Sequence, residues 1–295
     1  MVSNAGAGGH VDVAGGLRAT IAALLPGLRP SDAKVMRLVL EDSAFVQSAT
    51  TGEVAERAGV SPATVVRAAR AAGFEGFGDL KRALVKDLAL LRSGPRPPEE
   101  LTGTSTVDEI CELVLASHAD TIGAMRATVD PEELGRAAAL LAAAETILVF
   151  GVGTSAAPAA DAAYRWTAIG CRVSAPRDAR TAQLQARLLK PDSALVVISH
   201  SGHSAETLTV ADAASSAGAS VVAITSFASS PLADRATALL VAGGPDLGLH
   251  LAASSSRLAH LAVVDILHVA ISLADPARAQ HALGVAADIS QALSR

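Results

Sequence analysis

Residues 195–207 read LVVISHSGHSAET, an apolar run that ends in a cluster of serines and a glycine. The first four residues are leucine or β-branched and do not alternate with polar ones, which predicts a strand buried on both faces of a parallel sheet. Ser199, Ser201, Gly202 and Ser204 follow, and a helix is predicted to start at Ser204. This stretch suits a phosphate-binding loop, and it equally suits a loop that only caps a helix.

An earlier part of the chain repeats this design. Residues 146–150, TILVF, predict a buried strand that leads through residues 151–155, GVGTS, into a helix. Because ligands of parallel sheets bind beyond the carboxyl ends of strands, we expect this loop and the loop at 199–204 to face each other. Alternating strands and helices predict a parallel sheet with helices on both faces. Its other strands are expected at residues 172–174, 220–225 and 238–241.

The glycines of the first loop also suggest a dinucleotide site. However, Ala156 stands where the third glycine of that motif is expected, and only Asp178 offers a partner for a ribose. The dinucleotide interpretation is therefore weak, and the sequence predicts no cofactor.

The composition describes an ordered chain of 295 residues with 50% hydrophobic residues, enough for two domains. No segment is typical of a membrane span or a secretion signal, so we expect a cytoplasmic protein without a membrane partner. Cys111 and Cys171 are the only cysteines, too few for a cysteine metal site, and no metal is expected. The net charge of −5 argues against non-specific DNA binding, although residues 28–92 carry 10 basic against 8 acidic residues.

That less acidic part contains a two-helix pattern at residues 51–74. Gly59 permits a sharp turn, Ser61 can cap the second helix, and Pro62 fits its first turn. The pattern predicts a helix-turn-helix whose second helix enters the major groove of DNA. An ordinary helical hairpin with solvated arginines is the alternative interpretation.

The second helix carries the candidate DNA contacts. Thr64 and Arg67 lie three residues apart and are expected on one outward face, near the end that reaches base edges. Ser61 is expected close to a phosphate. Arg70 and Lys81 are further candidates, with solvated side chains as the alternative.

Composition and capping signals predict the division of the chain. Residues 92–105 gather prolines, glycines and small polar residues, which is typical of an exposed connector. The predicted order is a flexible tail at 1–16, a helix-turn-helix domain at 17–92, a linker at 93–106, an α/β domain at 107–275 and a C-terminal tail at 276–295.

The motifs together resemble two known modules in series. GVGTS at 151–155, SHSGHSAE at 199–206, ITS at 224–226 and SPLA at 230–233 resemble the sugar isomerase (SIS) domain, a five-stranded parallel α/β sandwich that binds phosphosugars. VSPATVVR at 60–67 and GFEGFGDLK at 73–81 are similar to the helix-turn-helix of RpiR-type bacterial transcriptional regulators. That family joins the two modules in this order.

The resemblance implies a regulator of carbohydrate metabolism genes that binds double-stranded operator DNA and senses a phosphosugar. It places the phosphate contacts on Ser199, Ser201 and Ser204, with Ser155 assisting from the first loop. The complete candidate ligand set is Gly153, Thr154, Ser155, Ser199, Ser201, Gly202, Ser204, Glu206 and Arg257.

An SIS enzyme would require a general base within reach of its substrate. None of the candidate bases stands in an identifying signature, so no catalytic residue is assigned. The candidates are His200, His203, Glu206, His250 and His260. Because an enzyme would not explain the helix-turn-helix, we predict a regulator. A phosphosugar isomerase or lyase is the alternative, and a sugar-phosphate-binding adaptor is a third interpretation.

A homodimer or homotetramer is expected. One helix-turn-helix buries too little DNA surface for specific affinity, and two-fold assemblies match palindromic half-sites. The apolar helix predicted to begin at residues 254–257 is the candidate dimer face.

Overall fold

The computed structural model describes residues 16–91, 102–243 and 254–293. The chain divides into two compact units, residues 1–128 with 243–255 and residues 129–242 with 256–295. The predicted flexible tail lies outside the described residues except for Gly16. Residues 93–101 of the predicted linker and His250 also lie outside them.

The first unit is helical, and its first six helices enclose one apolar core. Val35, Met36, Val54, Val65 and Leu80 are fully buried in that core. The helices are α1 (Gly16–Leu24), α2 (Pro30–Glu41), α3 (Ser43–Ser48), α4 (Thr51–Ala58), α5 (Pro62–Ala71), α6 (Phe77–Leu91) and α7 (Val107–Thr128).

Helices α4 and α5 form the two-helix motif predicted from the sequence. Thr50 and Glu53 make reciprocal capping hydrogen bonds at the start of α4. Gly59 ends α4 in the left-handed region at φ +63°. Ser61 then begins α5, because its Oγ accepts the amide of Thr64 at 3.3 Å.

Helix α7 corrects the predicted domain boundary. The α/β domain was expected to begin at residue 107, but α7 groups with the first unit. It packs against α1, where burial lowers the pKa of Arg18 and the carboxylates of Asp87 and Asp120 oppose this effect. The capping signal at Thr106 located the start of the helix correctly, but a capping signal carries no information about which core the helix joins.

The second unit contains the predicted five-stranded parallel sheet, in the order β2-β1-β3-β4-β5. Every residue of β3 is buried, as its unbroken apolar sequence predicts. The strands are β1 (Ile147–Gly151), β2 (Val173–Ser174), β3 (Ala194–Ser199), β4 (Ser220–Thr225) and β5 (Ala238–Val241). The helices are α8 (Pro131–Ala143), α9 (Ala156–Ala168), α10 (Ala179–Arg187), α11 (Ala205–Ser216), α12 (Ser254–Ala274) and α13 (Pro276–Leu293).

The predicted C-terminal tail at 276–295 is wrong, since most of it is helix α13. Pro276 occupies the first turn, and the Asp275 carboxylate accepts the amide of Arg278 at 3.0 Å. Many alanines in the following residues favour a helix. The sequence therefore contained a start signal that was not used in the prediction.

Among the described residues, one helix, α12, has the length and composition of a membrane span. Ala259, Val263, Leu267 and Ile271 are fully buried in the second unit. Packing against this core accounts for the apolar composition of that face, and a single such helix is weak evidence for a span.

Gly151 ends β1 where the backbones of the following loop and of β3 come close. A Cβ built on it would lie 2.5 Å from the carbonyl oxygen of Ser155 and 3.1 Å from that of Ile198. Both neighbours are backbone atoms, which cannot move away without disturbing the adjoining loop or strand. A side chain is therefore excluded at this position by space alone.

We expect Gly151→Ala to destabilise the protein by about 1–3 kcal/mol, because overpacking against fixed backbone atoms forces a shift. Denaturant unfolding measures the change. Gly135→Ala is the matched control, since a Cβ there meets nothing within 4 Å. That exposed position in α8 should gain about 0.5–1 kcal/mol from the alanine. Equal stability of Gly151→Ala and the parent would contradict the crowding.

Candidate functional site

The loops after β1 and β3 lie side by side at the switch point of the sheet, where the connections from neighbouring strands run in opposite directions. The chain leaves β1 towards β2 on one side and leaves β3 towards β4 on the other. Gly151 is in register with Ile198, so the two strands end at the same edge. Parallel sheets bind ligands at such switch points.

The loop after β3 is held in shape by its own serine side chains. Ser199 is buried, and its Oγ accepts the amide of Gly202 at 3.1 Å. Gly202 adopts φ +68°, and a Cβ there would collide with the Ser230 side chain. This glycine is therefore required both by its conformation and by the close approach of Ser230.

Ser201 and Ser204 are the two serines of this loop that are only partly buried. Ser201 is half-buried, and its Oγ accepts the amide of His203 at 3.2 Å, which leaves the hydroxyl proton available for donation. Ser204 precedes α11 without making a side-chain cap. The first amides of this 12-residue helix are therefore not capped by Ser204. Hydroxyl donors beside a helix N-terminus favour an anion.

The loop after β1 contributes a second set of small residues. Gly153 is exposed and adopts φ +58°, and Thr154 is exposed beside it. Ser155 is buried, and its amide donates to the carbonyl of Val152 at 3.1 Å. The predicted residues of both loops thus occupy the same edge of the sheet.

Glu206 and Arg257 are the two charged members of the predicted ligand set. Glu206 is exposed in the first turn of α11. Arg257 is half-buried on α12, one helical turn before His260 and on the same side of the helix.

Next to the serine loop lies a network that the sequence did not predict. The Ser226 Oγ lies 2.9 Å from Nδ1 of His200 and 3.4 Å from Nε2 of His260. The serine hydroxyl, which can both donate and accept hydrogen bonds, thus links the two imidazole rings. Burial lowers the pKa of His260 to about 4, and the nearby His200 adds to this effect. His260 is therefore neutral near neutral pH.

The sequence contained only an indirect signal for this network. Ser226 lies in the ITS motif at residues 224–226, and both histidines are among the candidate bases. Their proximity depends on β4 lying next to β3 and on the packing of α12, which no local pattern reports.

The candidate DNA residues of the first unit divide into two groups. Ser61 and Arg70 are exposed on α5, in agreement with the prediction. Arg70 also donates to the carbonyl of Glu75 at 3.2 Å. Thr64 is buried, so its predicted outward position is wrong. Its Oγ1 lies 3.0 Å from Oγ of Ser61, because the start of the helix turns it inward against the cap.

Lys81 and Arg67 both have partners inside the first unit. The Lys81 Nζ donates to the carbonyl of Ala49 at 2.8 Å, which ties α6 to the end of α3. The Arg67 guanidinium forms an ion pair with Asp32 at 2.7 Å. The prediction of solvated or DNA-facing cations did not anticipate either contact.

A helix-turn-helix unit and an α/β unit with a candidate anion-binding loop at its switch point are typical of ligand-responsive DNA-binding proteins. Comparisons with known proteins agree with this class. Residues 15–90 match the family model described as helix-turn-helix domain, rpiR family, and residues 140–270 match the SIS domain.

Two relatives with similar sequences are uncharacterized HTH-type transcriptional regulators. The one from Caldanaerobacter subterraneus subsp. tengcongensis is 28% identical, over 86% of this chain and 89% of its own length. The one from Haemophilus influenzae is 30% identical, over 84% of this chain and 87% of its own. The bifunctional protein glk of Paraburkholderia xenovorans is 32% identical, but the chain covers only 38% of it.

Solved structures give the same result. The Vibrio vulnificus NanR protein, complexed with ManNAc-6P, has a TM-score of 0.60 and 26% identity over 94% of this chain and 98% of its own. The sugar isomerase domain of an RpiR transcription factor from Sphaerobacter thermophilus has a TM-score of 0.57 and 23% identity, over 61% of this chain and 99% of its own, which supports the fold. The chain belongs to the RpiR family of helix-turn-helix transcriptional regulators, so the predicted family, fold class and regulatory function are confirmed.

The buried His260 makes stability depend on pH. Its pKa is about 4 in the folded protein and 6.5 without burial, so the unfolded chain binds the proton first as the pH falls. Lowering the pH from about 7.5 to about 5 should therefore destabilise the parent by up to about 2 kcal/mol more than His260→Leu. Denaturant unfolding at both pH values measures this difference.

His281→Leu removes an exposed histidine of the same unit and serves as the control. It should keep the parent's pH dependence. If His260→Leu also keeps it, then His260 is not the group that binds the proton on unfolding.

Proposed function

We propose that the second unit of this regulator senses a phosphosugar through the two loops at the β1–β3 switch point, and that the first unit binds operator DNA of carbohydrate metabolism genes. The observation that carries the proposal is the serine loop of residues 199–204. It offers a hydroxyl proton on Ser201 and the start of α11 at the same edge of the sheet. These are the donors that a phosphate dianion requires.

The sugar class is supported by the charged groups near these loops. Glu206 is a poor neighbour for a phosphate and a good acceptor for sugar hydroxyls, so it suits the other end of the ligand. NanR, which covers most of this chain at 26% identity, was solved with the phosphosugar ManNAc-6P. We therefore assign the phosphate to the serine loop and the hydroxyls to Glu206, with Arg257 as an additional cation.

For DNA, we propose that α5 enters the major groove with its exposed face. Ser61, Ala63 and Arg70 are exposed on this helix and are available to a duplex. A serine hydroxyl and an arginine suit phosphates or base edges, and an alanine methyl suits the methyl group of thymine. The same role implies that the protein works in the cytoplasm, where bacterial operators are found.

We propose that the chain is not an enzyme. His260 is buried, and His203 and Glu206 are exposed in positions with other structural explanations. The His203 ring lies 2.7 Å from the carbonyl of Ser201, which it can bind as a donor. An isomerase or lyase remains the alternative because some SIS relatives carry such names, and the His200–Ser226 contact places an imidazole near the candidate phosphate site.

The function is tested with purified protein, its own promoter DNA and a panel of hexose and N-acetylhexosamine 6-phosphates. Operator gel shifts that change in the presence of one sugar phosphate, without product formation, are the expected result. Turnover of a sugar phosphate without DNA binding would favour the enzyme. Binding of sugar phosphates without turnover or DNA binding would favour an adaptor.

A second copy of the chain is proposed to cover the outer face of α12. Ile266, Val269 and Leu273 are exposed on that helix and share one face. Helix α13, where a tail was predicted, adds exposed Leu283 and Ile289. A two-fold assembly through these helices would present two helix-turn-helix motifs to a palindromic operator.

Ser201→Ala should weaken phosphosugar binding by roughly one to two powers of ten. It removes one hydrogen bond to a charged group, which contributes about 1.5–3 kcal/mol. Isothermal titration calorimetry with the best sugar phosphate of the panel measures the loss. Ser216→Ala is the control, because Ser216 lies at the far end of α11 and its Oγ donates to the carbonyl of Asp212.

Operator binding without ligand should be unchanged in Ser201→Ala, and the effector response should shift to higher concentration. Unchanged ligand affinity would overturn the assignment of the phosphate loop. Loss of operator binding in the absence of ligand would instead contradict separate sensing and DNA-binding sites.

Val269→Asp should convert the assembly towards monomers, because a carboxylate in an apolar interface loses its hydration. Analytical ultracentrifugation measures the size, and gel shifts should show weaker operator binding. Leu184→Asp is the control, because Leu184 is exposed on α10. A Val269→Asp protein with the parent's mass in solution would rule out α12 as the interface.

A further inference from the structure

Arg67 of α5 is bound to the start of α2 by four hydrogen-bond contacts of its guanidinium group, the longest of them from Nε to Oδ2 of Asp32 at 3.4 Å. Its Nε lies 3.0 Å from Oδ1 of Asp32, and its Nη2 lies 2.7 Å from the same oxygen. Nη2 also donates to Oγ of Ser31 at 2.9 Å. One edge of the guanidinium is thus occupied by a carboxylate and a hydroxyl from another helix.

The carboxylate in this pair is buried. The Asp32 side chain is 3% exposed, whereas the Arg67 side chain is 47% exposed. Asp32 lies on the apolar side of α2, beside the buried residues Val35 and Met36. A buried carboxylate without a cation is strongly unfavourable, so Asp32 depends on Arg67 much more than an exposed aspartate would.

The remaining donors limit what Arg67 can bind. A guanidinium has five N–H groups, one on Nε and two on each terminal nitrogen. The contacts to Asp32 and Ser31 use Nε and both protons of Nη2, and the described residues provide no partner for Nη1. Bidentate recognition of guanine needs two adjacent nitrogens, and each such edge includes Nη2. In this arrangement Arg67 offers DNA only its Nη1.

We propose that Arg67 is a positioning residue, which fixes the DNA-facing helix α5 against α2 through the buried Asp32 and does not itself read a base pair. This inference rests on the proposed DNA-binding role of α5. Sequence preference then belongs to the exposed positions Ser61, Ala63 and Arg70, while the Arg67–Asp32 pair sets the angle at which they meet the groove. The expectation that Arg67 reads a base is revised accordingly.

Asp32→Asn separates positioning from base reading, because it leaves Arg67 in place and makes the protein less negative. A base-reading Arg67 would be released by this change, and DNA binding would stay equal or become tighter. A positioning Arg67 loses its anchor, so binding should weaken by roughly tenfold, as for Arg67→Ala. The exposed Glu41 on the same helix provides the charge control, and Glu41→Gln should not weaken binding.

The probe is the operator that the parent protein selects from a randomised duplex library, together with its single base-pair variants. Arg67→Ala should lower affinity by the same factor on every variant, and the base preference at each position should persist. The two substitutions should be non-additive in denaturant unfolding, with the double variant losing less stability than the two single losses combined.

Arg67→Lys keeps the test decisive if Asp32→Asn or Arg67→Ala does not fold. A lysine still neutralises the buried carboxylate, so it should restore most of the stability and affinity and leave base preference unchanged. Loss of preference at one base pair in Arg67→Lys or Arg67→Ala would overturn the proposal, as would full affinity of Asp32→Asn. A parent that selects no duplex would count against the DNA-binding function, whereas the unfolding cycle would still report the Arg67–Asp32 coupling.

Discussion

The close contact between the ends of β1 and β3 is the constraint on which the candidate site depends. Gly151 stands opposite Ile198 and leaves no room for a side chain, so the backbones of two loops meet at one edge of the sheet. Gly202, in the loop after β3, also leaves no room for a side chain, because the Ser230 side chain lies against it. Hydroxyl groups and backbone amides of both loops therefore lie at the same edge of the sheet.

In the first unit, contacts within and between helices determine which face of α5 is exposed. Ser61 caps the helix, and Arg67 is anchored to the buried Asp32. Each of these contacts uses a polar group that an inspection of the surface would assign to DNA. Under the proposed role of α5, Arg67 orients the helix and Arg70 is available for recognition, so these two exposed cations are not equivalent.

The sequence was sufficient for the fold because its signals there are local. An unbroken apolar β3, the glycine turn at Gly59 and the capping residues each report their own segment. What it missed depends on contacts between distant segments. Three such contacts are the pairing of Arg67 with Asp32, the hydrogen bonding of His260 with Ser226, and the packing of α7 with the first unit. No local sequence pattern indicates them. Helix α13 is an exception, because Asp275 and Pro276 form a local start signal in the sequence.

The most direct test of the account is a crystal structure of the protein with the sugar phosphate that alters its operator binding. The account predicts phosphate oxygens within hydrogen-bond distance of the Ser201 hydroxyl and the first amides of α11, with the sugar extending towards Glu206. A phosphate bound elsewhere, for example in the open groove lined by Gln183, Arg187 and Asp212, would contradict it.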